Sequence, residues 1–393
     1  MDFELSDEHK MLRDSVRDFM EKEIQPIEEQ IDREDKFPDW LPTKLGSLGW
    51  LAVTVPEEYG GSGFDYLAHT ICIEEMSRIS AAVGLFCGDH GNLCADNLYR
   101  NGNEEQRQKY LPKLCSGEKL GALALTEPDA GSDAVAIQTT AKRDGDYYVL
   151  NGTKMFTSNM PGGEVVIVYT KTDPAKGARG ITAFIVEPGY EGNFTARALE
   201  KMGNRGCHTA EVSFEDYRVP RENILLGENR GIEVMMGGLD SERTVLTGWC
   251  TGMTQRALDL SISYSKERYQ FGKPIGSFQL IQAKLADMYV AVEASRLLSY
   301  KAATMIQEAE EMSSGRKRGK GTEVHKVAAA AILYCAESAT KAALDAIQIH
   351  GGYGYTLDFP VNRLLRDAKL AEIGAGTSEM RRLVIAQELL AGA

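Results

Sequence analysis

The sequence predicts an α+β multidomain protein. An all-α N-terminal domain spans residues 1–120, a middle antiparallel β-barrel domain 121–228, and a C-terminal helical bundle 229–393. Three observations predict it. Apolar residues recur at helical spacing up to about residue 120. Short alternating segments separated by turn signals follow. Helical periodicity then returns near residue 229 and holds to the end. At 393 residues, 43% apolar and 26% charged, the chain has the size and composition of two or three ordinary globular domains.

In the first part, Ser6 is placed to cap a helix, and Asp7 and Glu8 suit its positive end. Leu12, Val16, Phe19 and Met20 make its stripe, and Pro26 stops it. The run "EEYGGSGFD" from Glu57 lacks G-x-G-x-x-G and P-loop spacing and reads as a turn. Residues 81–99, "AAVGLFCGDHGNLCADNLY", read as a helix with Asp89 on one face with Leu85, Phe86 and Leu93. Such an acid is either satisfied locally, by Asn92 or His90, or held for chemistry. Gly84, Gly88 and Gly91 leave room for a ligand or a close neighbour.

From Gly121, "GALALT", "DYYVLNG", "EVVIVYTKT", "GITAFIVEP" and "TAEVSFEDY" read as strands of a small antiparallel domain. The first runs into "TEPDAGSD", where the backbone at Gly131 and Ser132 either offers amides to an anion or simply turns. Beyond residue 229, breaks near 271–276, 313–321 and 351–360 divide the chain into four or five helices, a bundle. The loop "GRKRGKGT" near Gly315 superficially resembles a P-loop. Its glycine spacing is one short, and Gly321 replaces the hydroxyl residue, so it reads as a solvated connection.

The run "GGLDSER", residues 237–243, reads as the opening of a long helix with Glu242 on a face with Leu239, Val245, Leu246 and Trp249. Burial there raises a carboxyl above its ordinary value of about 4.3, toward the range of a general base. The plain alternative is a Glu that reaches solvent or pairs with an Arg.

A net charge of −13 argues against a phosphate-backbone partner, and no long apolar run suggests membrane insertion. The start "MDFELSDEHK" lacks signal-peptide features. The seven Cys form no C-x-x-C pair and the six His no H-x-x-x-H, so neither a disulfide framework nor a metal site is expected. These features predict a reduced, cytoplasmic protein.

The strings "LTEPDAGSD", "NGTKMFTSN", "RYQFGKPIGSFQ", "QIHGGYGY", "RDAKLAEIGAGTSE" and "GLDSER", in this order, resemble the acyl-CoA dehydrogenase family over nearly the whole chain. The resemblance implies FAD bound between the β domain and the C-terminal bundle, and completed by a neighbouring subunit. It implies that Leu123, Thr126 and Ser132 contact the flavin end, that Phe156 stacks near the ring, and that Ser158 bonds close to the reactive nitrogen. Arg268, Gln279, Gln348, Gly351 and Gly352 would hold pyrophosphate and adenosine, with Thr377 and Glu379 at the head of the last helix. Ser132, Asp240, Arg243, Tyr264, Ala375 and Gly376 would line the acyl-CoA site, Asp240 and Arg243 near the CoA portion. A homotetramer handing electrons to an electron-transfer flavoprotein is the implied assembly.

Most members carry the catalytic base just before "GTS". Here that slot is Ala375, preceded by Gly374. The branch resembling isovaleryl-CoA dehydrogenases also has Ala there and supplies its base from the "LD-x-ER" run, which is Glu242. The resemblance therefore implies α,β-dehydrogenation of a short branched acyl-CoA. Asp89 departs from the branch, where a small residue is usual, and supports a second reading: an alicyclic acyl-CoA with Asp89 as an additional acid or base. A non-catalytic flavoprotein of the same fold is a third reading, opposed by the acidic balance and by Glu242.

Overall fold

The computed structural model describes residues 4–313 and 321–391. The P-loop-like run from Gly315 to Lys320 lies outside the described residues. The N-terminal helices are α1 (Asp7–Phe19), α2 (Glu28–Glu34), α3 (Leu41–Ser47), α4 (Tyr66–Ile79), α5 (Ala81–Gly88), α6 (Asn97–Asn101) and α7 (Glu104–Ser116). Ser6 caps α1 as expected, accepting from the His9 amide at 3.2 Å. The expected single helix over 81–99 is broken by geometry. After α5 the backbone widens into a π-helical run, Asp89–Asp96, before α6 begins.

Strands β1 (Gly121–Ala124), β2 (Thr140–Asp144), β3 (Tyr147–Ser158), β4 (Val165–Lys171), β5 (Ile181–Val186), β6 (Asn193–Ala198) and β7 (Thr209–Pro220) build the middle domain. The sheet is mixed rather than purely antiparallel. β1 and β4 run parallel, Gly121 opposite Val165, and β2 meets β4 in parallel at Thr140 and Lys171. The strands follow a curled path, β1-β4-β2-β3-β7-β6 with β5 on β4. Alternation reveals strands without giving their direction, so it does not distinguish these parallel pairs from antiparallel ones.

The last part holds α8 (Gly231–Glu267), a hairpin of β8 (Tyr269–Gln270) and β9 (Lys273–Pro274), α9 (Gln279–Ser313), α10 (Glu323–His350), α11 (Val361–Ala368) and α12 (Ser378–Ala391). Glu242 therefore lies inside α8, the twelfth residue of a 37-residue helix, not at its opening. α10 is apolar enough in composition to cross a membrane. Here Ala328, Ile332, Cys335, Ala339, Ala343 and Ala346 are buried in the core.

α8 and α4 meet backbone to backbone. A Cβ on Gly248 would lie 2.3 Å from the Thr70 carbonyl oxygen, and one on Gly252 2.2 Å from that of Glu74. Gly84 of α5 is equally confined, its absent Cβ 2.0 Å from Ser77 Oγ. Trp249 Nε1 donates to the Ala81 carbonyl at 2.8 Å and ties α8 to the start of α5. Of the three glycines that could have made room for a ligand, Gly84 and Gly91 serve close packing instead, Gly91 against the Leu51 carbonyl. Gly252→Ala should destabilise the fold by about 1–3 kcal/mol, the usual scale of overpacking. Differential scanning calorimetry checks this; an unchanged Tm would show slack at the crossing.

Candidate active site

Asp89 enters the π-helical run with only 6% of its surface exposed, and the Ser158 hydroxyl at the end of β3 favours its ionised form. Neither expected local partner satisfies it. The His90 ring bridges the Leu114 carbonyl and the Gly121 amide, each at 3.0 Å. The Asn92 amide group has no protein partner among the described residues. Burial pushes the Asp89 carboxyl up to about 6, against the opposing pull of Ser158.

Glu242 faces Asp89 electrostatically. Burial, and then the Asp89 charge, push its carboxyl up to about 8, while Arg243 and Arg381 pull the other way. Its side chain keeps partial exposure, so the carboxyl is enclosed without being sealed. Leu239 is half-buried, whereas Val245, Leu246 and Trp249 are in the core.

Side chains that sequence reasoning did not single out hold this geometry. Asn159 has φ 64° and ties three elements together. Its Nδ2 donates to the Phe86 carbonyl at 3.3 Å and the Gly121 carbonyl at 3.1 Å, and Cys207 Sγ donates to its Oδ1 at 3.5 Å. That staple fixes the end of β3, where Ser158 lies, against α5 and β1. Lys154, wholly buried on β3, reaches Glu127 Oε1 at 2.8 Å and the Leu125 carbonyl at 3.1 Å. Burial lowers the Lys154 ammonium to about 8 against the pull of Glu127. Glu127 also accepts from the amides of Gln138 and Thr139, which shapes the "TEPDAGSD" loop. Both partners sat inside quoted strings, and a buried Lys in an alternating strand was the available signal.

Behind Glu242, Arg243 Nε donates to the Ala375 carbonyl at 3.3 Å. Arg381 donates to the carbonyls of Ala371 at 2.8 Å and Gly374 at 2.7 Å. Ala375 has φ 54° and Gly376 φ 89°, a left-handed turn gripped by two guanidiniums. Asp240 is 0% exposed and receives His325 Nδ1 at 2.7 Å. It is thus committed to the protein interior in this structure.

Leu123, Thr126 and Ser158 are partly exposed, and the Met155 amide of β3 bonds the Thr126 carbonyl at 2.8 Å. Ser132 is exposed on the loop, and Phe156, 64% exposed at φ 57°, stands clear of the core. An aromatic ring held in the open beside hydroxyl and amide donors fits a flat polar-edged cofactor. Arg268 lies over the Tyr353 ring at 5.6 Å, beside exposed Gln348, Gly351 and Gly352, with Gln279 exposed at the head of α9. Thr377 Oγ1 caps α12, accepting from the Met380 amide at 3.3 Å, and Glu379 is exposed in its first turn.

The structure does not bring Tyr264 to Glu242. Tyr264 stacks on His350 at 4.1 Å, 22 residues along α8, which is roughly 33 Å of helix. Arg268, at the end of α8, lies farther still from Glu242. No cluster of three or more His, Cys, Asp or Glu suited to a metal occurs among the described residues, and all seven cysteines are buried and unpaired.

Residues 6–118, 122–217 and 229–390 match the N-terminal, middle and C-terminal domains of acyl-CoA dehydrogenase. The chain belongs to the acyl-CoA dehydrogenase family. It is 50% identical over 387 residues to the mitochondrial isovaleryl-CoA dehydrogenase of Pongo abelii, covering 97% of this chain and 88% of that one. The butyryl-CoA dehydrogenase of Megasphaera elsdenii superposes with a TM-score of 0.93 at 39% identity, covering 99% of this chain and all of that one. A glutaryl-CoA dehydrogenase of Mycobacterium smegmatis, solved with FADH2, does so at 0.90 and 28% identity, over 99% and 96% of the two chains. The protein is thus an FAD-dependent oxidoreductase acting on an acyl-CoA, and the open Phe156 surface fits that cofactor.

The acid pair makes stability pH-dependent. Unfolded carboxyls ionise near about 4, whereas Asp89 and Glu242 hold their protons to about 6 and about 8 when folded. Between those limits the folded state binds more protons, so the pair's contribution falls as pH rises. Asp89→Asn should therefore raise Tm more at pH 8 than at pH 4. It should also move the ionisation of Glu242 to lower pH. Calorimetry across pH checks the first, and the pH profile of flavin reduction the second.

Proposed function

We propose that this acyl-CoA dehydrogenase uses Glu242 to remove the α-proton of its thioester substrate and acts on an alicyclic acyl group that Asp89 faces. The observation that supports the ring is the buried Asp89, electrostatically coupled to Glu242. A simple aliphatic chain has no use for that acid and bears its desolvation cost. A ring presents carbons beyond the α,β pair, and unsaturation conjugated to the thioester acidifies them. Once FAD has passed on its electrons, Asp89 would take such a proton while a second ring hydrogen leaves with its electron pair to the reoxidised FAD, so that dehydrogenation extends to a diene.

Glu242 receives the α-proton on its carboxylate. FAD supplies the acceptor for the β-hydrogen and its electron pair. Leu123, Thr126, Ser132, Phe156 and Ser158 hold the ring end. Arg268, Gln279, Gln348, Gly351 and Gly352 serve the pyrophosphate and adenosine of a neighbouring subunit's cofactor in a homotetramer, consistent with their distance from Glu242 in one chain. Thr377 and Glu379 border the same cofactor. The electrons leave to an electron-transfer flavoprotein. Gly374 and Ala375 give the acyl end width where most relatives place larger groups.

A second reading is a short branched acyl-CoA of the isovaleryl type. The identity to isovaleryl-CoA dehydrogenase favours it.

Glu242→Gln should keep FAD yet slow anaerobic flavin bleaching by about 10²–10⁴-fold, the scale of a lost general base. Ala375→Glu added to that variant should restore part of the rate. Near-wild-type bleaching by Glu242→Gln would place the base elsewhere. Mass spectrometry of products from cyclohexanecarboxyl- and cyclohexenecarboxyl-CoA should show a diene that Asp89→Asn suppresses. Brisk turnover of isovaleryl-CoA with neither ring consumed would overturn the alicyclic reading.

A further inference from the structure

β3 does not keep one register along β7. Lys154 pairs with Val212 and Thr157 with Ala210, so Met155 and Phe156 together stand opposite Glu211. This is a β-bulge, and it changes which side chains face outward. In an unbroken strand Phe156 would share a face with Lys154. Here Lys154 and Thr157 are buried, while Phe156, at φ 57°, is exposed. The bulge therefore creates the open aromatic surface.

The residues leading into the bulge are tied to three consecutive positions of the "TEPDAGSD" loop and its approach, Leu125, Thr126 and Glu127. Lys154 Nζ donates to the Leu125 carbonyl at 3.1 Å and to Glu127 Oε1 at 2.8 Å. Between these two, the Thr126 carbonyl accepts the Met155 amide at 2.8 Å. Glu127 is buried and also holds a third segment, accepting from the Thr139 amide at 2.9 Å and from the Gln138 amide. That segment comes close because β3 has a glycine there: a Cβ on Gly152 would lie 2.5 Å from Thr139 Oγ1. Glu127 closes its own loop as well, exchanging backbone bonds with Ala130 at 3.0 and 3.2 Å. On the far side of the bulge, Asn159 fixes the strand to the Phe86 and Gly121 carbonyls.

We infer that Lys154 is a positioning residue for the flavin: its pair with Glu127 locks the loop to the bulge, so that Thr126 and Phe156 form one preassembled face. This rests on the reading that the flavin lies against Thr126 and Phe156. A buried ion pair is weak evidence of stability, and its best-attested use is to fix register. Without the ammonium, Leu125 and Glu127 lose their common donor. The loop keeps its Met155 bond but not its side-chain anchor, and cofactor binding must then offset the ordering of the face.

The test uses the FAD-loaded enzyme. Lys154→Met nearly keeps the length of the side chain and removes its charge. It should release FAD at least about tenfold faster after dilution, the scale of one hydrogen bond to a charged group. At saturating FAD, its flavin absorption and fluorescence should move toward those of free FAD, a signature that lost stability alone does not produce. Release and spectra like those of the unaltered enzyme, whatever the change in Tm, overturn the clamp. If Lys154→Met does not fold, Lys154→Gln, whose amide reaches less far, replaces it. Failure of both to fold would show the pair holding the whole middle domain, and also overturns the assignment. Phe156→Ala run alongside separates the two ideas. If it changes neither release nor spectrum, the flavin lies elsewhere and its placement fails. If it changes them while Lys154→Met does not, only the clamp is removed.

Discussion

The approach of α8 to α4 is the contact on which the site depends. Gly248 and Gly252 let two backbones touch, and Trp249 fastens α8 to the first residue of α5. Glu242 lies seven residues before that bond on one side, roughly 10 Å of helix. Asp89 lies eight residues after Ala81 on the other. A slip of one residue between these helices would turn side chains by about 100° and separate the two acids. Steric exclusion at two glycines therefore sets an electrostatic coupling some distance away.

That coupling is expensive for the fold. Two carboxyls share an enclosed space, opposed by guanidiniums that are themselves occupied with backbone carbonyls. A protein under selection for stability alone would replace Asp89 by a small residue. The surrounding investment is considerable: Asn159 fixes the end of β3, the Lys154–Glu127 pair shapes the loop beside it, and two arginines hold a left-handed turn at Ala375. Local strain and buried charge concentrate around Glu242 and Asp89, and the bundle beyond is ordinary apolar packing.

Much of this was legible in the residues. Helical stripes, the Ser6 cap and the alternating segments marked the three parts because periodicity reports which face is buried. It does not report strand direction, so the parallel β1–β4 pair was invisible, whereas the return of helical spacing near residue 229 fell close to the start of α8 at Gly231. Glu242 and Asp89 stood out as acids among apolar neighbours. Their partners did not, because Ser158 and Arg381 reach the site from segments 69 and 292 positions away from Asp89. Asp240 looked like a ligand-facing acid, yet its carboxylate turned to His325. Tyr264 was grouped with the acyl-CoA residues by resemblance alone, and the length of α8 carries it roughly 33 Å from Glu242.

The π-helical run after α5 has an implication for how such a site is gained or lost. A π-turn is an α-turn accommodating one residue too many. Its ends are pinned: His90 to Leu114 and Gly121, and Asp96 to Thr54 and Tyr66 at 2.8 and 2.7 Å and to Arg100. Removing a single residue between them would let the run relax to an α-helix. One flank would then rotate by about 100° against the other, carrying Asp89 away from Ser158 without altering either residue. Along this segment, heritable change in chain length has the reach of a catalytic substitution, and an alignment compared only by residue identity would pass over it.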